Sequence, residues 1–194
     1  MTTLQNFGVP MGGGTGRGGL LQPKTKQKFR VRVFRFGPVN GGLELSQQVQ
    51  TVSRPTGQQP AVQIHSYNSI GYYAGKFEWS AIDLTVRDDI TNSVSRLVGH
   101  QLQKQMNFFQ QTTAAAGSNY KFEMTIEIMD GGNDEVLEKW NLEGCWLENV
   151  NYDGLDYSTG DIVTIQMSVR YDNATQEGGL MPINPELGVG PLAT

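Results

Sequence analysis

Cysteine is almost missing from this chain of 194 residues: Cys145 stands alone, so no internal disulfide can staple the fold. Histidine is nearly as scarce, and His65 with His100 cannot supply a zinc site of the usual Cys/His kind. No apolar run approaches the ~20 residues of a membrane-crossing helix. Met1 to Pro10 has neither the basic start nor the apolar stretch of a secretory signal, so a soluble, non-secreted protein is expected. Acid is absent from residues 1–43, which hold seven basic side chains: Arg17, Lys24, Lys26, Lys28, Arg30, Arg32 and Arg35. The remaining residues carry eight basic groups against all 19 acids, so the net charge of -4 hides a division between the two parts. A chain divided in this way can attract copies of itself, or attract nucleic acid through one end only.

Glycine, by contrast, is abundant, and many of the 24 residues sit at the two ends. Residues 1–25 contain Gly12-Gly13-Gly14-Thr15-Gly16-Arg17-Gly18-Gly19, a stretch with little to bury and much backbone entropy to lose, which predicts a flexible arm. Residues 174–194 hold Pro182, Pro185 and Pro191 among further glycines, which predicts an irregular tail. The domain proper is expected over 26–173.

Within that span period-two alternation dominates. Phe29, Val31 and Val33 oppose Lys28, Arg30 and Arg32, and Ile82, Leu84 and Val86 oppose Asp83, Thr85 and Arg87. Tyr120, Phe122, Met124, Ile126 and Ile128 face away from Lys121, Glu123, Thr125 and Glu127. Leu45 to Ser53 alternates weakly, with Glu44, Ser46, Gln48 and Gln50 on a polar face, and Ala61 to Tyr67 is a shorter strand. Trp140, Leu142, Gly144 and Trp146 are assigned one face, as are Val163, Ile165, Met167, Val169 and Tyr171. One segment breaks the alternation. Val94, Leu97, Val98, Leu102, Met106 and Phe109 recur at helical spacing, which predicts a helix over about 89–111 with Asp88 or Asp89 capping its first turn. The expected fold is mainly β: a sandwich or barrel with one flanking helix.

Chemistry is thin. Gly14 to Gly19 matches G-x-G-x-x-G, but no strand precedes it and Pro23 follows, so the dinucleotide mechanism has no helix N-terminus to use. Neither histidine has a nucleophile arranged beside it, and Cys145 between Gly144 and Trp146 reads as a packed side chain. Asn151, Asp153, Asp156 and Asp161 lack the spacing of a calcium loop and read as a hairpin connection. No catalysis, cofactor or metal is expected. Trp79, Trp140 and Trp146 raise a carbohydrate-binding reading, against which core packing is the stronger explanation.

The run Tyr73-Ala74-Gly75-Lys76-Phe77-Glu78-Trp79, followed by Ile82 to Asp89 and a helix, resembles the central part of the tail tube proteins of contractile-tailed bacteriophages. Trp140 to Val150, then Leu155-Asp156-Tyr157, then a strand ending Val169-Arg170-Tyr171-Asp172, resembles that family's C-terminal hairpin. The likeness extends to tube proteins of contractile injection and type VI secretion systems. It implies a structural virion protein whose hexameric rings close a lumen-facing barrel and stack into a tail tube that conducts DNA during ejection. The implied partners are further copies of itself, a contractile sheath protein, a baseplate or tube initiator, a tail terminator, and genomic DNA passing without specific binding, with no membrane. The implied place is the virion tail, assembled in the host cytoplasm. On this reading Glu44, Gln48, Gln50, Glu123, Thr125 and Glu127 are lumen candidates, because polar faces without lysine clusters let phosphates slide. Arg17, Lys24, Arg30, Arg32 and Arg54 are candidates for contacts between rings or with the sheath. Residues 50–73 are the expected stacking loop, ordered on docking. The alternative is a nucleic-acid-binding accessory protein that uses the basic N-terminal arm.

Overall fold

The computed structural model describes residues 24–38, 41–129 and 135–177, with the backbone alone at 41–44, 183–184 and 189–191. Residues 1–23 of the arm expected over 1–25, and most of the tail beyond 177, lie outside the described residues. The elements are β1 (Phe29–Phe34), α1 (Gly41–Gln48), β2 (Val49–Val52), β3 (Gly57–Gln58), β4 (Ala61–Ser66), β5 (Ser69–Ala74), β6 (Glu78–Trp79) and β7 (Ile82–Arg87). They continue with α2 (Ser93–Gln105), β8 (Met106–Asn107), β9 (Thr112–Thr113), β10 (Phe122–Met129), β11 (Val136–Tyr152), β12 (Thr164–Arg170), β13 (Asn173–Glu177), β14 (Ile183–Asn184) and β15 (Val189–Pro191).

Seven strands form one antiparallel sheet in the order β1-β10-β11-β12-β7-β2, with β13 also pairing β11. The expectation of a mainly β fold with a flanking helix holds, as an open sheet rather than a closed barrel. β11, 17 residues long, is shared by two layers: its first part lies between β10 and β13, and its second part pairs β12. The alternating apolar side chains meet between the layers, where Val31, Val33, Met124, Ile126 and Leu142 join Ile82, Leu84, Val86, Ile165, Met167 and Val169. Their removal from water is the main favourable term in folding such a sheet.

Gly144 is the point at which β11 changes its pattern. It adopts φ 68, and a Cβ there would overlap a carboxylate oxygen of Asp172. The ladder to β10 skips at this point, pairing Phe122 with Cys145 but Met124 with Leu142. The extra residue reverses the alternation. Cys145 and Leu147 therefore turn into the core, while Trp146 leaves the face of Leu142 on which the sequence pattern put it. Burial pushes the Cys145 thiol up to about 12, which keeps it protonated and inert.

Three further segments depart from the expected elements. Residues 41–48 form α1 rather than the start of a strand, with Leu45 fully buried and the Ser46 hydroxyl accepting a hydrogen bond from the Val33 amide at 3.2 Å. α2 ends at Gln105, not near 111, because the Asn107 side chain accepts from the amides of Phe109 and Gln110 and turns the chain into the β8–β9 hairpin. The boundary expected at 173 falls inside a strand: β13 extends the sheet through Glu177.

α2 is fastened by two glutamines one turn apart. Gln101, fully buried, accepts from the Gly37 amide at 3.1 Å and donates to the Tyr120 carbonyl at 2.6 Å. Gln105 exchanges two hydrogen bonds with the backbone of Leu147, at 2.9 and 3.1 Å, and so occupies a place that a neighbouring strand would take. At the other end both expected capping residues act: Asp89 accepts from the amide and hydroxyl of Ser93 and the hydroxyl of Thr91, and Asp88 from the amide of Ser95. Those bonds, the Ser93 amide first, hold the Asp89 carboxyl below its ordinary value.

Two predictions follow from these local geometries. Gly144→Ala places a side chain in the left-handed region and against Asp172, and should cost about 1–3 kcal/mol in denaturant unfolding; an unchanged midpoint would contradict the bulge. A carboxyl lowered on folding stabilises above its unfolded pKa and loses that contribution as pH falls through the folded value. Asp89→Asn should therefore lower the thermal midpoint at neutral pH, with the gap to wild type closing in acid. A gap of equal size at both pH values would contradict it.

Candidate functional site

Alternation in β1, β10, β11 and β13 leaves one face of their layer polar while the other enters the core. The register joins Arg30 to Glu127, Glu127 to Lys139 and Lys139 to Glu177, a row of alternating charge across four strands. The Arg30 guanidinium reaches the Glu127 carboxylate at 2.7 Å and Arg32 approaches it at 3.6 Å, while Lys139 meets Glu177 at 3.0 Å. The next row is uncharged except at its edge: Arg32, Thr125, Asn141 and Thr175 stand opposite one another. Thr125 donates to the Asn141 side chain at 3.4 Å, which in turn donates to Glu177 at 2.6 Å. Beyond them Arg35 pairs with Glu123 at 3.5 Å. Bonds from Lys139 and Asn141 hold the Glu177 carboxyl below its ordinary value.

This arrangement brings together residues that the sequence assigned to separate roles. Glu123, Thr125 and Glu127 of the lumen set share one surface with Arg30 and Arg32 of the contact set. Glu127 is only 5% exposed, because the two arginines cover it. Glu44 and Gln48 stand instead on α1 and Gln50 on β2, away from that row. Lys24 and Arg54 converge on Glu138, at 3.0 and 3.8 Å, and Glu138 also accepts from the Trp140 indole at 2.7 Å. Burial raises the Glu138 pKa, but the Lys24 and Trp140 hydrogen bonds and the charges of Lys24 and Arg54 outweigh it and hold the carboxyl low. Arg17 lies outside the described residues.

A second surface is an arm. β3 pairs β6 and β4 pairs β5, so residues 57–79 form a two-stranded ribbon that overlaps the stacking loop expected over 50–73, and the short strand expected from Ala61 is β4. Its root is held by aromatic contacts, Phe77 on Trp79 at 4.7 Å and Trp79 on Tyr171 at 5.6 Å. Gly57 passes so close to the Phe77 ring that a Cβ would overlap it. Beyond the root every residue of β4 and β5 is exposed. Val62, Ile64 and Tyr73 lie on one face and Ile70 and Tyr72 on the other, all about half exposed or more. From Pro55 to Gly75 the arm carries no Asp, Glu, Lys or Arg.

A third group of apolar side chains is exposed at hairpin ends: Phe108 and Phe109 between β8 and β9, and Leu155, Tyr157 and Ile162 between β11 and β12. Sequence patterning missed Gln101, Gln105 and Glu138, whose partners are distant in the chain. Among the described residues no group of three His, Cys, Asp or Glu could hold a metal ion, and no helix is long and apolar enough to cross a membrane.

No family model matches the chain, and no curated protein does. Solved structures do. A chain of the anti-feeding prophage baseplate aligns with TM-score 0.61 at 12% identity, over 82% of this chain and 98% of that one. A chain from the tube terminating cap of the same particle gives 0.62 at 12% identity, over 84% and 95%. A chain of the PVC sheath-tube complex, an extracellular contractile injection system in its extended state, gives 0.60 at 14% identity, over 81% and 93%. The fold is thus the tail-tube fold, matched nearly end to end in those chains.

Glu138→Leu should cost about 1–3 kcal/mol in urea unfolding, because it leaves the Trp140 indole N–H without an acceptor. Glu138→Gln, which keeps an acceptor, should cost less; equal losses would contradict the assignment.

Proposed function

We propose that this chain is a structural tube subunit of a contractile tail or injection particle. Copies close into hexameric rings, the rings stack into an inner tube, and a contractile sheath encloses it. The observation that carries the reading is the 57–79 arm, a long ribbon without a charged side chain as far as Gly75 and with apolar side chains exposed on both faces. A lone protein gains nothing by keeping such a surface in water, whereas a stacked ring buries it. The fold shared with chains of a sheath-tube complex and a tube terminating cap supports the same role.

In the ring, the polar face of β1, β10, β11 and β13 faces the bore, with Glu123, Thr125 and Glu127 lining it together with Arg30 and Arg32. Glu127 lies within reach of both Arg30 and Arg32, and Glu123 within reach of Arg35, so carboxylates offset most of the positive charge that a passing polyanion would meet. β1 of one copy lies beside β13 of the next, which removes the free edges of this layer. Gln48 and Gln50 face the bore at its rim. The conducted cargo is genomic DNA during ejection, and the ends of the tube meet a baseplate initiator and a terminator. The particle is a virion tail, assembled in the host cytoplasm. The tube reading is favoured over the accessory nucleic-acid reading by the ion pairs that Lys24, Arg30, Arg32 and Arg54 make with Glu138 and Glu127.

Electron microscopy of the concentrated protein, with and without a baseplate seed, should show stacked rings with a central hole; failure on both conditions overturns the proposal. The Gly75 amide donates to the Pro60 carbonyl at 2.7 Å, so residues 61–74 can be exchanged for a tight Asn-Gly turn at that point. The shortened chain should fold and close rings that no longer stack. Tubes of normal length from it would remove the arm from the stacking contact.

A further inference from the structure

α2 presents a basic stripe to solvent. Arg96, His100 and Lys104 follow one another at intervals of four, so they share one helix face, and all three are exposed. The helix contains no acidic residue. Among the described residues neither Arg96 nor His100 enters an ion pair, and Lys104 finds only the Arg35 carbonyl at 3.4 Å. Beside the stripe lies an open depression of about 300 Å³ lined by Pro38, Thr91, Ser93, Arg96, Leu97 and His100. This is a cationic surface with a hollow next to it, on a chain whose net charge is -4.

The complementary surface is on the same molecule. The connection between β11 and β12, residues 153–163, carries Asp153, Asp156 and Asp161, and no Lys or Arg occurs between Asn149 and Val169. Its apolar side chains point outward, with Leu155 86%, Tyr157 110% and Ile162 64% exposed. Within one subunit the two surfaces do not meet, since no residue of 153–163 lines the depression. Yet they occupy the same end of the fold: the Asp88 amide, just before α2, donates to the Val163 carbonyl at 3.1 Å. Rotation about a ring axis moves a copy sideways without changing its height, so a head-to-tail contact joins features that lie at one level of neighbouring subunits.

We propose that the 153–163 loop of one copy docks on the Arg96-His100-Lys104 face of α2 in the next, with Leu155 or Tyr157 filling the hollow and the aspartates meeting the stripe. The contact is head-to-tail and therefore repeats around a closed ring. It rests on the tube-subunit reading, which it deepens by naming the surfaces that join neighbours. It also assigns α2 to the contact between subunits, leaving the 57–79 arm to the contact between rings.

The test is a charge exchange. Arg96→Glu with Lys104→Glu on one side, or Asp156→Lys with Asp161→Lys on the other, should each raise the protein concentration needed for ring formation about tenfold or more. Circular dichroism and thermal unfolding of the separated subunits should stay near wild type, since all four positions are exposed. Combining the two exchanges restores opposite charges and should recover rings. Wild-type protein that forms no ring even on a seed defeats the tube reading itself. Wild-type rings that persist unchanged in either exchanged variant overturn the docking alone, and so does impaired assembly that the combined variant fails to rescue, because α2 then meets another partner.

Discussion

The bend of β11 at Gly144 is the constraint on which the two layers depend. One strand cannot serve two sheets and keep every second side chain inward unless its alternation is reset where the layers part. The left-handed glycine makes that reset, with Asp172 filling the space where a Cβ would stand. Cys145 and Leu147 then continue the core that Leu142 and Trp140 began, now facing the other layer. The bulge also leaves the backbone of Leu147 open toward α2, and Gln105 takes up both of its groups. The position of the flanking helix is therefore a consequence of the bulge.

The charge division along the chain is resolved within the fold. The basic N-terminal segment supplies one edge strand, and its side chains meet acids from β10 and β11 that lie far away in sequence. Exposed ion pairs contribute little to stability one at a time. Their more important effect is electrical, because they turn a surface with several arginines into a compensated one. What is left uncompensated is concentrated elsewhere, on α2 and on the β11–β12 loop, and what is left apolar is concentrated on the arm and the hairpin ends. A subunit with a largely compensated wall and with apolar and charged projections is suited to meeting copies of itself.

Much of the fold was legible in the chain. β1, β7, β10 and β12 alternate cleanly because each has one face in the core and one outside, and α2 shows a continuous apolar stripe. The errors share a cause, in that a side-chain hydrogen bond or a bulge acting on one or two residues overrode a periodic signal. Asn107 ends the helix although Met106 and Phe109 continue its stripe. Ser46 and Leu45 draw the polar 44–48 segment into a helical turn against β1. Gly144 moves Trp146 off the face of Leu142.

The sequence alone determined the mainly β class, the amphipathic helix α2, its acidic cap, the buried cysteine and the polar faces, since each depends on residues close together in the chain. Only the tertiary structure decided that Glu123, Thr125 and Glu127 share a surface with Arg30 and Arg32, that Glu138 gathers Lys24, Arg54 and Trp140, and that residues 57–79 project as an arm. Those outcomes depend on strand order and register, which join positions up to 114 residues apart. A periodic pattern records which way a side chain points, and carries no information about the strand that will lie beside it.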